Sequence, residues 1–349
     1  MVSNSATPEN QHLNSQMDPL TQGVLGGLVA QARCHPRHLG RACVIGALAG
    51  MAPDLDVLIR SDSDPLLALE YHRHFTHSLF FIPFGALLCS LILYPLQRRY
   101  WQIGFRQVYL WCVLGYATHG LLDACTSYGT QLLWPFSDRR FAWDTISVID
   151  PLFTLPLLIG VWLASRRQSR RWVCIAGLWG CLYMMVGVVQ HMRAIDLGRQ
   201  LAMERGHTPL RLEAKPSFAN LAVWKLIYTT SDRFYVAAVK PGLGRTGIWP
   251  GASIARLKIE RDLPWLQARS RQARDLERFT WFSGGYVALH PLDPNRVIDI
   301  RYSMLPDQIR PLWGIQLNPQ AGPDKPADYY AQRSNGREAL PQLLGMILH

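Results

Sequence analysis

Two absences narrow the reading of this 349-residue chain at once. Its seven cysteines (Cys34, Cys43, Cys89, Cys112, Cys125, Cys174 and Cys181) show no CxxC spacing, which argues against a disulfide framework and a zinc-finger pattern. They read instead as small apolar residues inside helices. Lysine is missing from the first 192 residues, although the chain carries a formal charge of +11. That first part has 14 arginines against 11 acids, and residues 193–349 have 22 Lys+Arg against 14 Asp+Glu. No basic cluster interleaved with aromatics and no nucleic-acid module accompanies the charge, so no nucleic-acid partner is expected. A basic extramembrane domain beside an anionic membrane surface accounts for it better. The stretch "GLGRTG" (242–247) lacks the spacing and context of a phosphate loop and reads as a turn.

Long apolar runs fill the first part. Leu79–Leu96, Val108–Leu122, Leu152–Ala164 and Trp172–Val189 are the clearest, and Leu20–Ala32 and Ala42–Ile59 are weaker. They predict an α-helical polytopic membrane bundle of about six helices, followed by a smaller β-rich soluble domain. Residues 1–16 are expected to be a disordered tail, 17–192 the membrane-embedded domain and 193–349 the extramembrane domain. Loop charge sets the orientation. Arg33, Arg37 and Arg41, then Arg98, Arg99 and Arg106, then Arg166, Arg167, Arg170 and Arg171 occupy three loops that contain no acid. The alternate loops, 53–77 and 123–150, hold five acids and four acids against two arginines each. The positive-inside rule places the arginine loops in the cytoplasm, and the acidic loops and the C-terminal domain in the periplasm.

The polar residues that hydropathy disfavours then gather at one end. Gln22 sits where span one begins, and Asp54 and Asp56 in "APDLD" close span two. His72, His74 and His77 open span three, His119 and Asp123 close span four, and Asp138, Asp144 and Asp150 lead into span five. His119 and Asp123 share a helix face at i,i+4. Pro53 makes "PDLD" irregular backbone whose carboxylates can converge. Imidazole with carboxylate and no thiolate suits Zn²⁺, Mn²⁺ or Fe in an open site. Within "HRHFTHS", spacing alone pairs His74 with His77 on one helix face, whereas His72 and His77 lie about 140° apart on an ideal helix. A single interfacial histidine or a helix-end aspartate carries little weight; the convergence carries the site.

Four stretches resemble a known family: "MDPLTQGVLGGLVAQA" (17–32), "GALAGMAPDLDVL" (46–58), "HRHFTHSLFF" (72–81) and the long segment 118–158. They are similar to the YdjM-type family, bacterial LexA-regulated membrane proteins classed as metal-dependent hydrolases. The resemblance spans roughly residues 17–192. It implies a zinc-type metal site with phosphoester chemistry. Its ligands, carried over by motif, are Asp54, Asp56, His72, His77, His119 and Asp123, with Asp54 and Asp56 also catalytic. The family has Gly where this chain has His74, and either His or Gln at the position of Gln22. It favours His72 over His74, with His72 approaching from the loop and Thr76 as helix N-cap. Arg73, His74, Gln22, Asp144 and Asp150 are candidates to support the ligands.

Beyond residue 192 the chain reads mainly as β. "LAVWKLIYTT" and "RFYVAAVK" form one hairpin candidate, and "GGYVALHP" with "NRVIDIRYSML" another. Arg256–Arg278 is charge-rich and expected helical, and the Pro/Gly-rich stretch after Pro306 is expected to be loop. His207, His290 and His349 are isolated. The expectation is therefore an inner-membrane metallohydrolase. Metal-activated water would attack a phosphoester or lipid-derived substrate at the periplasmic face, with membrane lipids as surroundings. The alternative is a non-catalytic metal-binding envelope module or a transporter. A transporter would place ionisable groups at the bilayer midplane rather than at one end.

Overall fold

In the computed structural model the described residues are 18–242, 246–331 and 336–348. The expected N-terminal tail 1–16, His349 and the centre of "GLGRTG" lie outside them. The helical part comprises α1 (Pro19–Ala32), α2 (Leu39–Met51), the short α3 (Leu67–Tyr71), α4 (Ile82–Trp101), α5 (Phe105–Cys125), α6 (Pro151–Arg167) and α7 (Arg170–Glu204). Two four-stranded antiparallel sheets follow. The first holds β1 (Arg211–Pro216), β2 (Trp224–Thr229), β3 (Arg233–Lys240) and β4 (Gly247–Ala255). The second holds β5 (Val287–His290), β6 (Asp293–Asp299), β7 (Trp313–Gln316) and β8 (Asp328–Ala331). Between them lie α8 (Ile259–Asp262) and α9 (Arg271–Phe282), and α10 (Gly336–Leu348) ends the described chain.

Local chemistry sets the helix starts. Asp18 caps α1 by accepting from the Leu20 N–H at 3.1 Å, with Pro19 at the first helical position. Asp150 does the same for α6, accepting from Leu152 and Phe153 at 3.2 and 3.3 Å ahead of Pro151. α1, α2 and α5 cross through glycines. A Cβ on Gly115 would stand 2.2 Å from the Gly46 carbonyl oxygen, and one on Gly26 2.6 Å from it. Small residues are what allow such close backbone approach between apolar helices.

The outward surface of this region is apolar. Leu88, Leu91, Ile92 and Leu96 on α4, Leu155, Ile159 and Trp162 on α6, and Ile175, Leu178, Met185 and Val186 on α7 are all more than half exposed. Among the described residues one helix, α7, is long and apolar enough to cross a membrane. A second qualifies if Leu67–His77 and α4, bent by 89°, count as one broken span. The remaining helices of the expected six occupy the predicted places but are shorter or less apolar.

α7 runs past residue 192 without a break. Its last turns bury Ala194 and Leu201 against Trp224, Leu226 and Val239 of the first sheet. α9 buries Leu276, Phe279 and Phe282 against Val297, Trp313 and Ile315 of the second. Arg278 on α9 ties it to the helical region through Glu70 at 2.6 Å and Asp64 at 2.9 Å. Both predicted hairpins form. The stretch after Pro306, expected as loop, contains β7, β8 and α10. Those short strands carry little pattern of their own and are completed by pairing with β6 and with each other.

Candidate metal centre

The backbone first brings distant segments to one place. α2 ends at Met51 and passes into a 3-10 turn, Ala52–Leu58, which presents Asp54 and Asp56, both buried. His72 follows α3, and His77 closes a second 3-10 turn, Phe75–His77. Arg73 between them adopts φ +64, a left-handed conformation uncommon for a non-glycine residue, and reverses the chain there. α5 contributes His119 and Asp123 from one face. Gly120 lets the His77 turn rest on α5, since a Cβ there would stand 2.1 Å from the His77 carbonyl oxygen. The expected N-cap role of Thr76 does not hold. α4 begins only at Ile82, and the Thr76 hydroxyl donates to Asp56 Oδ2 at 3.0 Å.

Four ligand-type atoms then face one another. His77 Nε2 and His119 Nε2 are 2.9 Å apart. Asp54 Oδ1 lies 3.5 Å from the first and 3.3 Å from the second. Asp123 Oδ2 lies 3.3 Å from His77 Nε2 and 3.8 Å from His119 Nε2. A second group, Asp54, Asp56 and His72, shares Asp54 with the first. Within each group the ligand atoms lie within 4.8 Å of one another.

The surrounding hydrogen bonds decide which ring nitrogens are free. His119 Nδ1 stands 2.6 Å from the Gly50 carbonyl oxygen, so a neutral ring carries its proton there and turns a lone pair inward at Nε2. Thr76 Oγ1, having donated to Asp56, accepts from His77 Nδ1 at 2.9 Å, which leaves His77 Nε2 bare as well. His72 Nδ1 donates to Asp56 Oδ1 at 2.9 Å, and its Nε2 has no partner. Asp56 also accepts from the Arg73 N–H at 3.1 Å, so its oxygens are largely occupied by donors. Asp54 is the opposite: both its oxygens are buried and accept no hydrogen bond. Asp123 is steered by Gln22 Nε2, which donates to Oδ1 at 2.8 Å, while Arg73 Nε stands 3.1 Å from Oδ2.

The remaining candidates lie elsewhere. His74 turns away to pack its ring on Tyr71 and Trp134, each 5.3 Å between centroids. Asp144 pairs with Lys215 at 3.1 Å, and Asp150 caps α6 and accepts from Tyr183 at 2.8 Å. Neither supports the cluster, because the loop carries both towards α6, α7 and β1. The carbonyl of Gly50 had no signal in the sequence, and Thr76 was legible there only as a helix cap, not as the partner of Asp56 and His77. Every residue offers a carbonyl, and only the crossing of α2 with α5 selects that one.

The arginine-rich loops come together at the other end of the helices. Arg170 donates to the Cys34 carbonyl and Arg41 to that of Trp101.

The chain is 28% identical over 209 residues to the uncharacterized protein YfhP of Bacillus subtilis (strain 168), covering 58% of this chain and 61% of that one. It is 36% identical over 112 residues to the inner membrane protein YbcI of Escherichia coli (strain K12), covering 31% of this chain and 62% of that one. The chain thus spans about three-fifths of the length of these relatives. No solved structure matches it. The family model for YdjM inner membrane proteins matches residues 17–194, the stretch that supplies every residue of the cluster. With half of its length matched, from α1 to within α7, the chain belongs to the YdjM inner membrane protein family.

Proposed function

We propose that this protein is a metal-dependent hydrolase of the bacterial inner membrane, with its centre at the periplasmic ends of the helices. The observation that carries the metal is the facing pair of imidazole Nε2 atoms, with the donorless oxygens of Asp54 and with Asp123 Oδ2 3.3 Å from His77 Nε2. Lone pairs packed this closely and sealed from water repel one another, and a cation among them removes the repulsion. The donor set, two nitrogens and two carboxylates, fits Zn²⁺ and accommodates Mn²⁺ or Fe.

In this reading Asp54, His77, His119 and Asp123 hold one ion, and Asp54 with His72 Nε2 reaches towards a second. Asp56 orients His72 and His77. A bound divalent ion supplies Lewis acidity and lowers the pKa of a water. The chain's own residues do the rest. Gly50 and Thr76 keep the Nε2 atoms free of protons, and Gln22 and Arg73 fix Asp123. His72 and Asp54 are the least enclosed members, at 15% and 10% side-chain exposure, and mark the side from which a substrate would approach. A site carboxylate, Asp54 first, accepts the proton that attacking water must lose. The substrate class is a phosphoester, soluble or lipid-borne, met at headgroup level.

The apolar outer faces of α4, α6 and α7 support a multi-pass arrangement of residues 17–192 with residues 193–349 outside it. The burial of His77, His119 and Asp123 favours a second reading, a structural ion in a non-catalytic envelope module. Metal analysis of detergent-purified protein tests the first claim: wild type carries stoichiometric metal, and Asp54→Ala and His119→Ala lose it. Equal metal in all three proteins refutes the site. Metal retention without hydrolysis across a panel of phosphomonoesters, phosphodiesters and phospholipids selects the structural reading.

A further inference from the structure

Where the helical region meets the sheets there is a cavity of about 500 Å³, lined by the loop Ser127–Gly129, the segment 138–144, β1 and the end of α9. Five cationic side chains line it: Arg139, Arg140, Arg211, Lys215 and Arg301. Three carboxylates share the wall. Asp144 and Glu213 each stand 3.1 Å from Lys215, and Glu213 also pairs with Arg211. Arg301 is matched outside the lining by Asp299 at 2.7 Å. Asp138 and Arg139 are exposed to solvent.

Arg140 is different. Among the described residues it forms no ion pair. Its Nη2 donates to the carbonyls of Tyr128 and Gly129 at 3.3 and 2.9 Å, while Nε and Nη1 are buried without a partner. The guanidinium packs on Phe282, 4.7 Å from the ring centroid, and on Trp281 at 5.6 Å. Those rings offer an attractive quadrupole but no hydrogen-bond acceptor of ordinary strength. Burial, with Arg301 and Arg73 nearby, pushes Arg140 down to about 9, so it is still charged at neutral pH. A half-buried guanidinium whose Nε and Nη1 are enclosed without partners calls for an anion. One chain of contacts links the cavity lining to the metal centre. Tyr128 lies five residues after Asp123, and its ring stacks on Arg73, the residue beside Asp123 Oδ2, at 5.0 Å.

We propose that this cavity is an anion subsite in which Arg140 binds a phosphate group of the substrate beside the metal centre. A guanidinium with N–H groups free on two nitrogens matches the oxygens of a phosphate. The subsite deepens the hydrolase reading by requiring a substrate with an anionic phosphate group beside the reacting one. It is tested on metal-free protein, so that its failure and that of the metal centre are read separately.

The test is thermal unfolding of chelator-treated, full-length protein in detergent, titrated with inorganic diphosphate against sodium chloride of matched ionic strength. Diphosphate raises the wild-type midpoint saturably by several degrees, and Arg140→Gln weakens binding by at least about tenfold. Ala142→Asp, which places a carboxylate on the cavity wall without touching Arg140, raises the midpoint and abolishes the response. It decides the matter if Arg140→Gln fails to fold. Tighter binding of dihexanoyl phosphatidic acid than of diphosphate identifies a lipid headgroup as the source, and the reverse identifies a soluble phosphate. The proposal is overturned if wild type shows no saturable shift beyond the salt control, or if Ala142→Asp responds as wild type does.

Discussion

Asp54 and Asp56 are two residues apart, yet they have opposite surroundings. Asp56 accepts from His72, the Arg73 N–H and Thr76, whereas Asp54 accepts from nothing. A carboxylate filled with donors orients its neighbours, and one without donors is free to bind a cation. Asp56→Asn therefore keeps the shape but loses the charge that holds both imidazoles. We expect metal affinity to fall by about 10–100-fold, measured by chelator competition. Asp54→Asn, which removes a ligand charge, should lower it further.

A second residue offers a pH test away from the membrane. Lys225 on β2 is fully enclosed, with Nζ donating to Ser303 Oγ at 2.6 Å and the Gln308 carbonyl at 2.8 Å. Burial lowers its pKa to about 7. The folded protein then holds fewer protons than the unfolded chain from about pH 7 up to the ordinary lysine value near ~10.4. Stability from this group accordingly rises with pH across that window, and below it the fold must bury a charge. Lys225→Met removes the dependence. Its thermal midpoint relative to wild type should be highest below pH 7 and decline as pH rises. A constant difference between the two proteins refutes the assignment.

At the scale of elements, the site depends on how closely α2 and α5 approach. The Gly50 carbonyl reaches His119 because Gly46 and Gly115 bring the two backbones into contact. Gly115→Val inserts three carbons where even a Cβ would be 2.2 Å from an oxygen. The expected loss is about 3 kcal/mol, seen as a lowered thermal midpoint in detergent. Metal content should fall with it, because His119 moves away from its carbonyl.

At the scale of the whole molecule, α7 links the two regions as one unbroken helix. Its N-terminal half exposes Ile175, Leu178 and Met185, and its C-terminal end packs under the first sheet. On the orientation proposed above, a reporter active only in the periplasm, fused after Gly206, should be active, and a cytoplasm-only reporter at that point silent. The reverse result inverts the orientation and places the metal centre on the cytoplasmic side.

Much of this arrangement was legible in the residue order. Apolar run length marks α4 to α7, β-branched and aromatic runs mark β2 and β3, and the parity of arginine loops sorts the polar residues to one end. These are local properties, carried by composition over ten or twenty residues. The choice of His72 over His74 was not local. It follows from Arg73 reversing the chain, which directs His72 to Asp56 and His74 to Trp134. Nor could spacing separate Asp54 from Asp56, or exclude Asp144 and Asp150, since each is an aspartate in or beside a loop at the same end of the helices. Sequence by itself determined which residue types stand at which helix ends. Tertiary structure alone decided which of them meet, because hydrogen-bond partners and backbone carbonyls from distant segments exist as a site only once the helices have packed.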